Sequence, residues 1–355
     1  MVTPSGGSDR PVFLVDDPLF DEHRARGYHP ERPERLLAAR HAVQAFGSGP
    51  DGSSLAPLPP RDATEDEVAR VHSARYVELL EQSAGLFSAL DDDTYLGPRS
   101  VAAAFRAAGG AIGLVDALLD APSGATGVAL LRPPGHHARP DRGMGFCLLN
   151  NVAVAASHAL YRGARRVAIV DWDVHHGNGT QDAFYTDPRV LFISLHQAPF
   201  YPGTGLATEV GEGEGKGFNL NVPLSAGAGD AVYGAAFERL VLPVVDQFAP
   251  ELVLVSAGFD AHARDPLAGM MLTANGFATM AASLGRLAEK HAGGRIGLIL
   301  EGGYDLEGLE SSLLAALRAA AEPGPLASAD EAPLSVRQAH EIERATKAAS
   351  SFWKL

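Results

Sequence analysis

Residues 167–180, VAIVDWDVHHGNGT, open as a short apolar run and then place Asp171, Asp173 and His175 two positions apart. A run of that kind suits a strand buried on both faces. Side chains two apart on an extended chain point the same way, so the three share one face while Trp172 and Val174 take the other. Carboxylates at the end of a buried strand are too costly to leave without a cation or donors, which makes the trio a metal-ligand candidate rather than a solvated turn. Gly177 and Gly179 then permit a sharp turn, and the residues after them read as the start of a helix.

Three more polar motifs follow apolar runs: RPPGHH (132–137), SAGFDAH (256–262) and EGGY (301–304). Asp173, His175 and Asp260 can together neutralise a divalent cation, and three protein ligands leave room for water and substrate, as catalytic zinc requires. Such an ion polarises a carbonyl and lowers the pKa of water, which is hydrolytic chemistry. His136 and His137 follow a stiff Pro-Pro-Gly turn and are acid and base candidates. Asp171 can pair with one imidazole and Asn178 with the other. A neutral Asn stabilises an imidazolium less than an Asp does, so the two rings should differ in pKa, and spacing does not say which one acts. Tyr304 is placed to donate a hydrogen bond to a developing oxyanion.

Elements that could position these groups are legible as alternating runs. Strands are predicted at 11–15, 127–131, 167–170, 190–195, 218–222, 252–256 and 296–300. Helices are predicted at 34–46, over 100–119 with Gly109 and Gly110 permitting close packing, and from a Thr64/Glu67 capping box toward residue 82. Residues 47–60 and 90–100 read as loops, and 202–217 is too long and Gly-rich for a routine connection. Alternating strands and helices imply a parallel sheet covered on both faces. All four polar motifs then lie at carboxyl ends of strands, along the one edge where open α/β folds place their sites.

The chain has 355 residues, a formal charge of −14 and a single cysteine, Cys147. One cysteine excludes a disulfide framework and a Cys-rich zinc site and suits a reducing compartment. No apolar run approaches the length of a membrane span and the start lacks a signal-peptide pattern, so a soluble cytoplasmic protein is expected. The acidic balance argues against nucleic acid as a partner and favours cationic ones. Residues 1–10 are expected to be a disordered tail, 11–320 the catalytic domain, and 321–355 an extension. Its SFWKL ending is expected to dock on the body or on a neighbouring subunit, which leaves a homo-oligomer open.

Between residues 11 and 320 the segments LRPPGHHA, GFCLLNNVAVAA, VDWDVHHGNGTQ, FISLHQ, YPGTG, LVSAGFDAHARDPLAG and LILEGGYDL occur in order. Together they resemble the zinc-dependent histone deacetylase family, which includes bacterial acetoin-utilization proteins and acetylpolyamine amidohydrolases. The WDVHHGNGTQ form is most similar to the class II branch. The resemblance implies the arginase/deacetylase fold, a single α/β domain with a central, mostly parallel sheet of about eight strands flanked by helices.

It also implies roles. Asp173, His175 and Asp260 match zinc ligands, with ferrous iron an alternative in the cell. His136 and His137 match tandem histidines, the second acting as general base and acid, and Tyr304 matches a carbonyl-polarising tyrosine. Structural potassium is implied at an inner site (Asp171, Asp173, His175, Ser194, Leu195) and an outer one (Phe184, Asp187, Val190, Phe218), largely through backbone carbonyls. Gly145, Phe146, Tyr201 and Leu267 match the walls of an acyl-lysine tunnel, Tyr201 departing from the commoner Phe. Asp93 falls where relatives present an acceptor to the substrate backbone, and Arg35 matches an arginine at the foot of the pocket.

The implied reaction is hydrolysis of an N-acetyl amide on a lysine-like amine, in a peptide or protein. One rival is an acetylpolyamine amidohydrolase. Leu267 stands where a Glu gatekeeper would be, while His23 and the acidic run 91–93 are left as polyamine contacts. A two-metal arginase-like site would need a carboxylate where His262 stands. A rival of another class is a non-catalytic acyl-lysine binding module, against which Tyr304 argues.

Overall fold

The computed structural model describes residues 10–49, 55–122, 124–324 and 333–355. The expected N-terminal tail therefore lies outside the described residues except for Arg10, whose guanidinium donates to Glu289 at 2.9 Å. Among the described residues there are ten strands: β1 (Val12–Val15), β2 (Leu55–Pro57), β3 (Ser88–Ala89), β4 (Tyr95–Leu96), β5 (Thr126–Ala129), β6 (Val167–Asp171), β7 (Val190–Gln197), β8 (Asn219–Leu224), β9 (Leu252–Ala257) and β10 (Ile296–Leu300). Eight form one sheet in the order β2-β1-β5-β10-β9-β6-β7-β8, and every neighbouring pair is parallel. The fold is a single α/β domain.

The helices are α1 (Glu34–Gly47), α2 (Glu65–Val68), α3 (Ala74–Gln82), α4 (Ser100–Asp120), α5 (Asn151–Tyr161), α6 (Asn178–Phe184), α7 (Asp230–Ala236), α8 (Leu242–Phe248), α9 (Ala274–His291), α10 (Leu306–Ala321) and α11 (Val336–Ala349). Consecutive residues of β5 show that both sheet faces are covered. Thr126 reaches the carbonyl of Ala320 in α10, while a Cβ on Gly127 would lie 2.3 Å from Leu114 of α4. Residues with helices on both sides have no polar face to show, which is why β5, β6, β7, β9 and β10 are buried along their whole length.

Helix α4 differs from expectation in one respect. It is apolar enough over its length to cross a membrane by composition alone, yet most of it is buried in the core, with Arg106 and Asp116 at its outer side. Its close approach is set by glycine, as predicted. A Cβ on Gly109 would lie 2.3 Å from the Arg61 carbonyl and 2.5 Å from the Ala63 nitrogen.

Three local expectations are corrected. The 47–60 loop contains β2, which extends the sheet beside β1. The 90–100 loop begins inside a small antiparallel pair, β3 with β4. The single helix expected from Thr64 to residue 82 is two helices. The Thr64/Glu67 capping box is present, but α2 stops at Val68 and Ser73 caps α3. The break exists because the chain docks there on the 139–140 segment. Ser73 donates its amide to the Pro140 carbonyl, the buried His72 donates Nδ1–H to the Arg139 carbonyl at 3.0 Å, and His72 Nε2 accepts the Asn150 amide at 2.9 Å.

At the far end α11 packs on β8. Glu341 accepts from the amide and hydroxyl of Ser225, Trp353 donates to the Gly217 carbonyl at 2.8 Å, and its ring stands edge-on to Phe218 and Phe248. The SFWKL ending thus docks on the body of its own chain.

Two measurements check this packing. Gly109→Ala should gain up to about 1 kcal/mol of helix propensity. It must also displace backbone at 61–63, an overpacking cost of about 1–3 kcal/mol, so the net change should be a lower urea midpoint. A midpoint above that of the parent would mean that α4 does not lie this close. The second concerns pH. His72 must stay neutral to accept from Asn150, and burial lowers its pKa to about 4 from 6.5. Between those values the unfolded chain binds the proton that the folded chain refuses, so stability falls as pH drops from about 6.5 to about 4. His72→Gln should flatten that part of the stability profile.

Candidate metal centre and catalytic pocket

The four polar motifs leave four strands that are adjacent in the sheet, β5, β10, β9 and β6. The regular strand ends at Asp171, so the shared orientation of Asp171, Asp173 and His175 arises from turns rather than from an extended chain. Asp171 accepts the Asp173 amide at 3.1 Å, and Asp173 accepts the His175 amide at 2.9 Å. Asp260, beyond β9, accepts the Val174 amide at 2.8 Å, and the second Asp173 oxygen accepts from Gly302 at 2.8 Å. Gly258 and Gly302 admit these carboxylates, since a Cβ at either would lie within 2.2 Å of a carboxylate oxygen.

Asp173, His175 and Asp260 present one ligand atom each, all within 4.8 Å of one another. His175 Nδ1 lies 3.1 Å from both carboxylates. The donor set fits a divalent cation on electrostatic grounds. Burial alone would lower the His175 pKa, yet hydrogen bonds to Asp173 and Asp260 raise it to about 10. Burial and then the Asp173 charge raise the Asp260 pKa to about 7. Two buried carboxylates competing for one proton mark a place where a cation relieves repulsion that a proton relieves only in part.

The rings of His136 and His137 lie 4.0 Å apart, centroid to centroid. His136 donates Nδ1–H to Asp171 at 3.0 Å, and His137 donates Nδ1–H to Asn178 Oδ1 at 2.8 Å. The expected difference in pKa follows. Burial opposes charge on both rings, but Asp173 and Asp171 hold His136 well above the ordinary value. Burial, reinforced by the positive character of His136 and His175, pushes His137 well below it.

Glu301, to which the sequence reading gave no role, holds the turn that carries both rings. Its Oε2 accepts the amides of Gly135 at 2.6 Å and His136 at 3.1 Å. Its Oε1 is without a protein partner among the described residues, and burial raises its pKa to about 7.

Tyr304 is fixed by its surroundings. Its amide donates to Asp265 at 2.7 Å, and Asp265 also accepts the Leu267 amide at 3.0 Å, so one carboxylate positions two cavity walls. The Arg35 guanidinium lies 5.0 Å from the Tyr304 ring centroid, donates to the carbonyls of Gly303 and Glu301, and pairs with Glu31. Arg132 forks onto the same fully buried Glu31. Burial raises the Tyr304 pKa well above 10 against the opposing pull of Arg35, so the phenol keeps its proton.

His23 belongs to this buried group. It bonds Ser100 at 2.6 Å and stacks on Tyr95, so it does not reach the pocket mouth as a polyamine contact would.

A cavity of about 230 Å³ opens onto the cluster, lined by His136, His137, His175 and Tyr304 together with the wall residues Gly145, Phe146, Tyr201, Leu267 and Asp93. It lies below the usual range for drug-sized ligands, which suits a slender linear group. The residues at which the resemblance implies potassium also lie close together. Ser194 pairs in register with Asp171 and precedes Leu195, both buried. The carbonyl of Phe184 accepts the Asp187 amide beside Val190, the first residue of β7, and the Phe218 carbonyl accepts from Phe192 of that strand.

Beyond Glu301, Glu31, Arg132 and Asp265 also brace the site, without a role assigned to them by the motifs. Arg132 and Glu301 did carry a signal, since each follows an apolar strand run directly, as Asp171 does within its own.

Residues 29–320 match the family model described as the histone deacetylase domain. A histone deacetylase-like amidohydrolase of Pseudomonas aeruginosa is 47% identical over 281 residues, 78% of this chain and 72% of that one. A probable deacetylase of Archaeoglobus fulgidus is 42% identical over 287 residues, 81% of this chain and 79% of that one. The crystal structure of the HDA15 HD domain superposes with a TM-score of 0.88 at 38% identity, over 97% of this chain and 96% of that one.

Glu301→Ala would leave two buried amides without an acceptor and should cost about 2 kcal/mol or more. Glu301→Gln keeps an acceptor oxygen at the turn and should melt much closer to the parent. Equal melting temperatures for the two variants would show that the turn does not depend on this side chain.

Proposed function

Since the chain belongs to the histone deacetylase family, we propose that it is a zinc-dependent amidohydrolase that removes acetyl groups from lysine-type amines. The observation that carries this reading is one narrow cavity, lined by a neutral histidine and a protonated tyrosine, that reaches a three-ligand set through His175. Two carboxylates and one imidazole suit zinc, with ferrous iron taking the same set. When bound, that ion supplies a Lewis acid that polarises an acyl carbonyl and makes water more acidic.

The chain's own groups do the rest. His137 keeps its proton on Nδ1, held by Asn178, which leaves Nε2 as the base for the attacking water. Tyr304 donates to the carbonyl oxygen as charge develops there. His136, charged and tied to Asp171, holds positive potential beside the site, and the proton taken by His137 goes to the departing amine. Phe146, Tyr201 and Leu267 enclose the alkyl chain, and Asp93 at the mouth accepts from the substrate backbone. Potassium at the inner and outer positions would be structural, held mainly by carbonyls.

Tyr304→Phe should lower kcat on an acetyl-lysine peptide by on the order of a hundredfold to a thousandfold with KM little changed. His137→Ala should lower it by on the order of a hundredfold or more. A chelator should abolish turnover, and zinc should restore it. Full activity in Tyr304→Phe, or turnover indifferent to chelation, would remove the proposal. Tight binding of an acetylated peptide by zinc-loaded protein that never hydrolyses it would leave a binding module instead.

A further inference from the structure

Beside the cavity mouth lies a second cleft, of about 500 Å³, whose apolar wall is made by Tyr76 and Leu79 of α3 with Leu90 and Met144. It shares its partition with the catalytic cavity. Asp91 borders the cleft and Asp93 the cavity, and the Asp93 amide donates to Asp91 at 3.2 Å. Met144 faces one side and Gly145 the other.

The partition is hydrogen-bonded throughout. Leu90 donates to the Thr94 carbonyl, Phe146 to the Thr94 hydroxyl, and Met144 and Cys147 exchange both amide bonds. Gly143 closes the floor, where a Cβ would lie 2.5 Å from the Tyr76 hydroxyl and 2.6 Å from Leu90. Leu79 nonetheless stands 48% exposed on this wall.

We propose that this cleft is a substrate subsite that takes an apolar side chain flanking the acetylated lysine in a peptide, an inference that rests on the amidohydrolase reading above. The charges at its rim, Arg75 and Arg142 against Asp91 and Asp141, cancel, so they select no sign of charge and leave apolar area as the discriminating term. A peptide whose lysine stem fills the cavity has its neighbouring residues at the mouth, one partition away. A free acetylated polyamine has no flanking side chain to place there. Because the frame is already rigid, little ordering opposes the contact.

The test uses the full zinc-loaded chain with acetyl-lysine peptides carrying Ala, Leu, Phe, Asp or Lys at each position next to the acetylated residue. Acetyl-lysine amide and acetylputrescine serve as substrates without a flank. Leu or Phe at one flanking position should raise kcat/KM about fivefold to tenfold over Ala, as partial burial of such a side chain implies. Leu79→Glu should erase that preference and leave turnover of acetyl-lysine amide unchanged.

A parent enzyme that hydrolyses acetyl-lysine amide but shows no flanking preference overturns the subsite alone. The same holds if the preference survives Leu79→Glu, or if acetylputrescine outruns every peptide. Failure to hydrolyse any of these amides overturns the amidohydrolase reading and the subsite with it.

Discussion

Four carboxylates, Asp171, Asp173, Asp260 and Glu301, are withdrawn from solvent at one edge of the sheet, and the local structure is shaped by keeping them there. An ionised carboxylate in such a place is costly unless donors surround it. The donors are backbone amides of the loops that leave the strands: Asp173 and His175 after β6, Gly302 after β10, Gly135 and His136 after β5, with Val174 serving Asp260. The bonds that compensate the charges are therefore the bonds that bend the loops. Removing the carboxylates would release the geometry that brings ligands and histidines together.

Two neighbouring histidines acquire opposite character from their second contacts. Asp173 and Asp171 hold the charge on His136, while burial and the neighbouring positive rings keep it off His137, whose Asn178 partner offers only an uncharged oxygen in compensation. A similar imbalance stands behind Tyr304. Two buried arginines share one buried glutamate, and the surplus positive charge, that of Arg35, lies over the phenol ring. A cation there opposes the effect of burial on the hydroxyl without taking its proton.

Much of this was legible in sequence because buried parallel strands are uniform apolar runs, and a polar residue ending one is conspicuous. Asp171, Asp173, Asp260, His136, His137 and Tyr304 all stand just beyond such runs. What escaped falls in two groups. β2 has only three residues, none fully buried, so no periodicity marks it. The break between α2 and α3, the burial of His23 and the pairing of Glu31 with Arg132 depend on partners about 65 to 110 residues away, and a polar segment such as DEHRARGYHPERPER looks the same whether its charges meet water or one another. Arg132 and Glu301 were readable by the rule applied to Asp171, since each ends an apolar run and each is answered by buried protein groups.

The cavity wall shows how this scaffold holds an unfavourable conformation. Phe146 has φ of 69°, in the left-handed region that a bulky side chain enters at a cost of about 1–3 kcal/mol, directly after Gly145 at 56°. Only glycine fits at 145, where a Cβ would lie 2.5 Å from the His137 ring. At Phe146 the backbone amide is fixed by Thr94, and the ring is held edge-on by His29 and Tyr304. Relaxing the backbone to negative φ would break the Thr94 bond and turn the ring away from Tyr304, opening the cavity over the histidines. The strain at Phe146 is thus offset by contacts on three sides, and it keeps an aromatic wall within reach of the group that the narrow cavity admits.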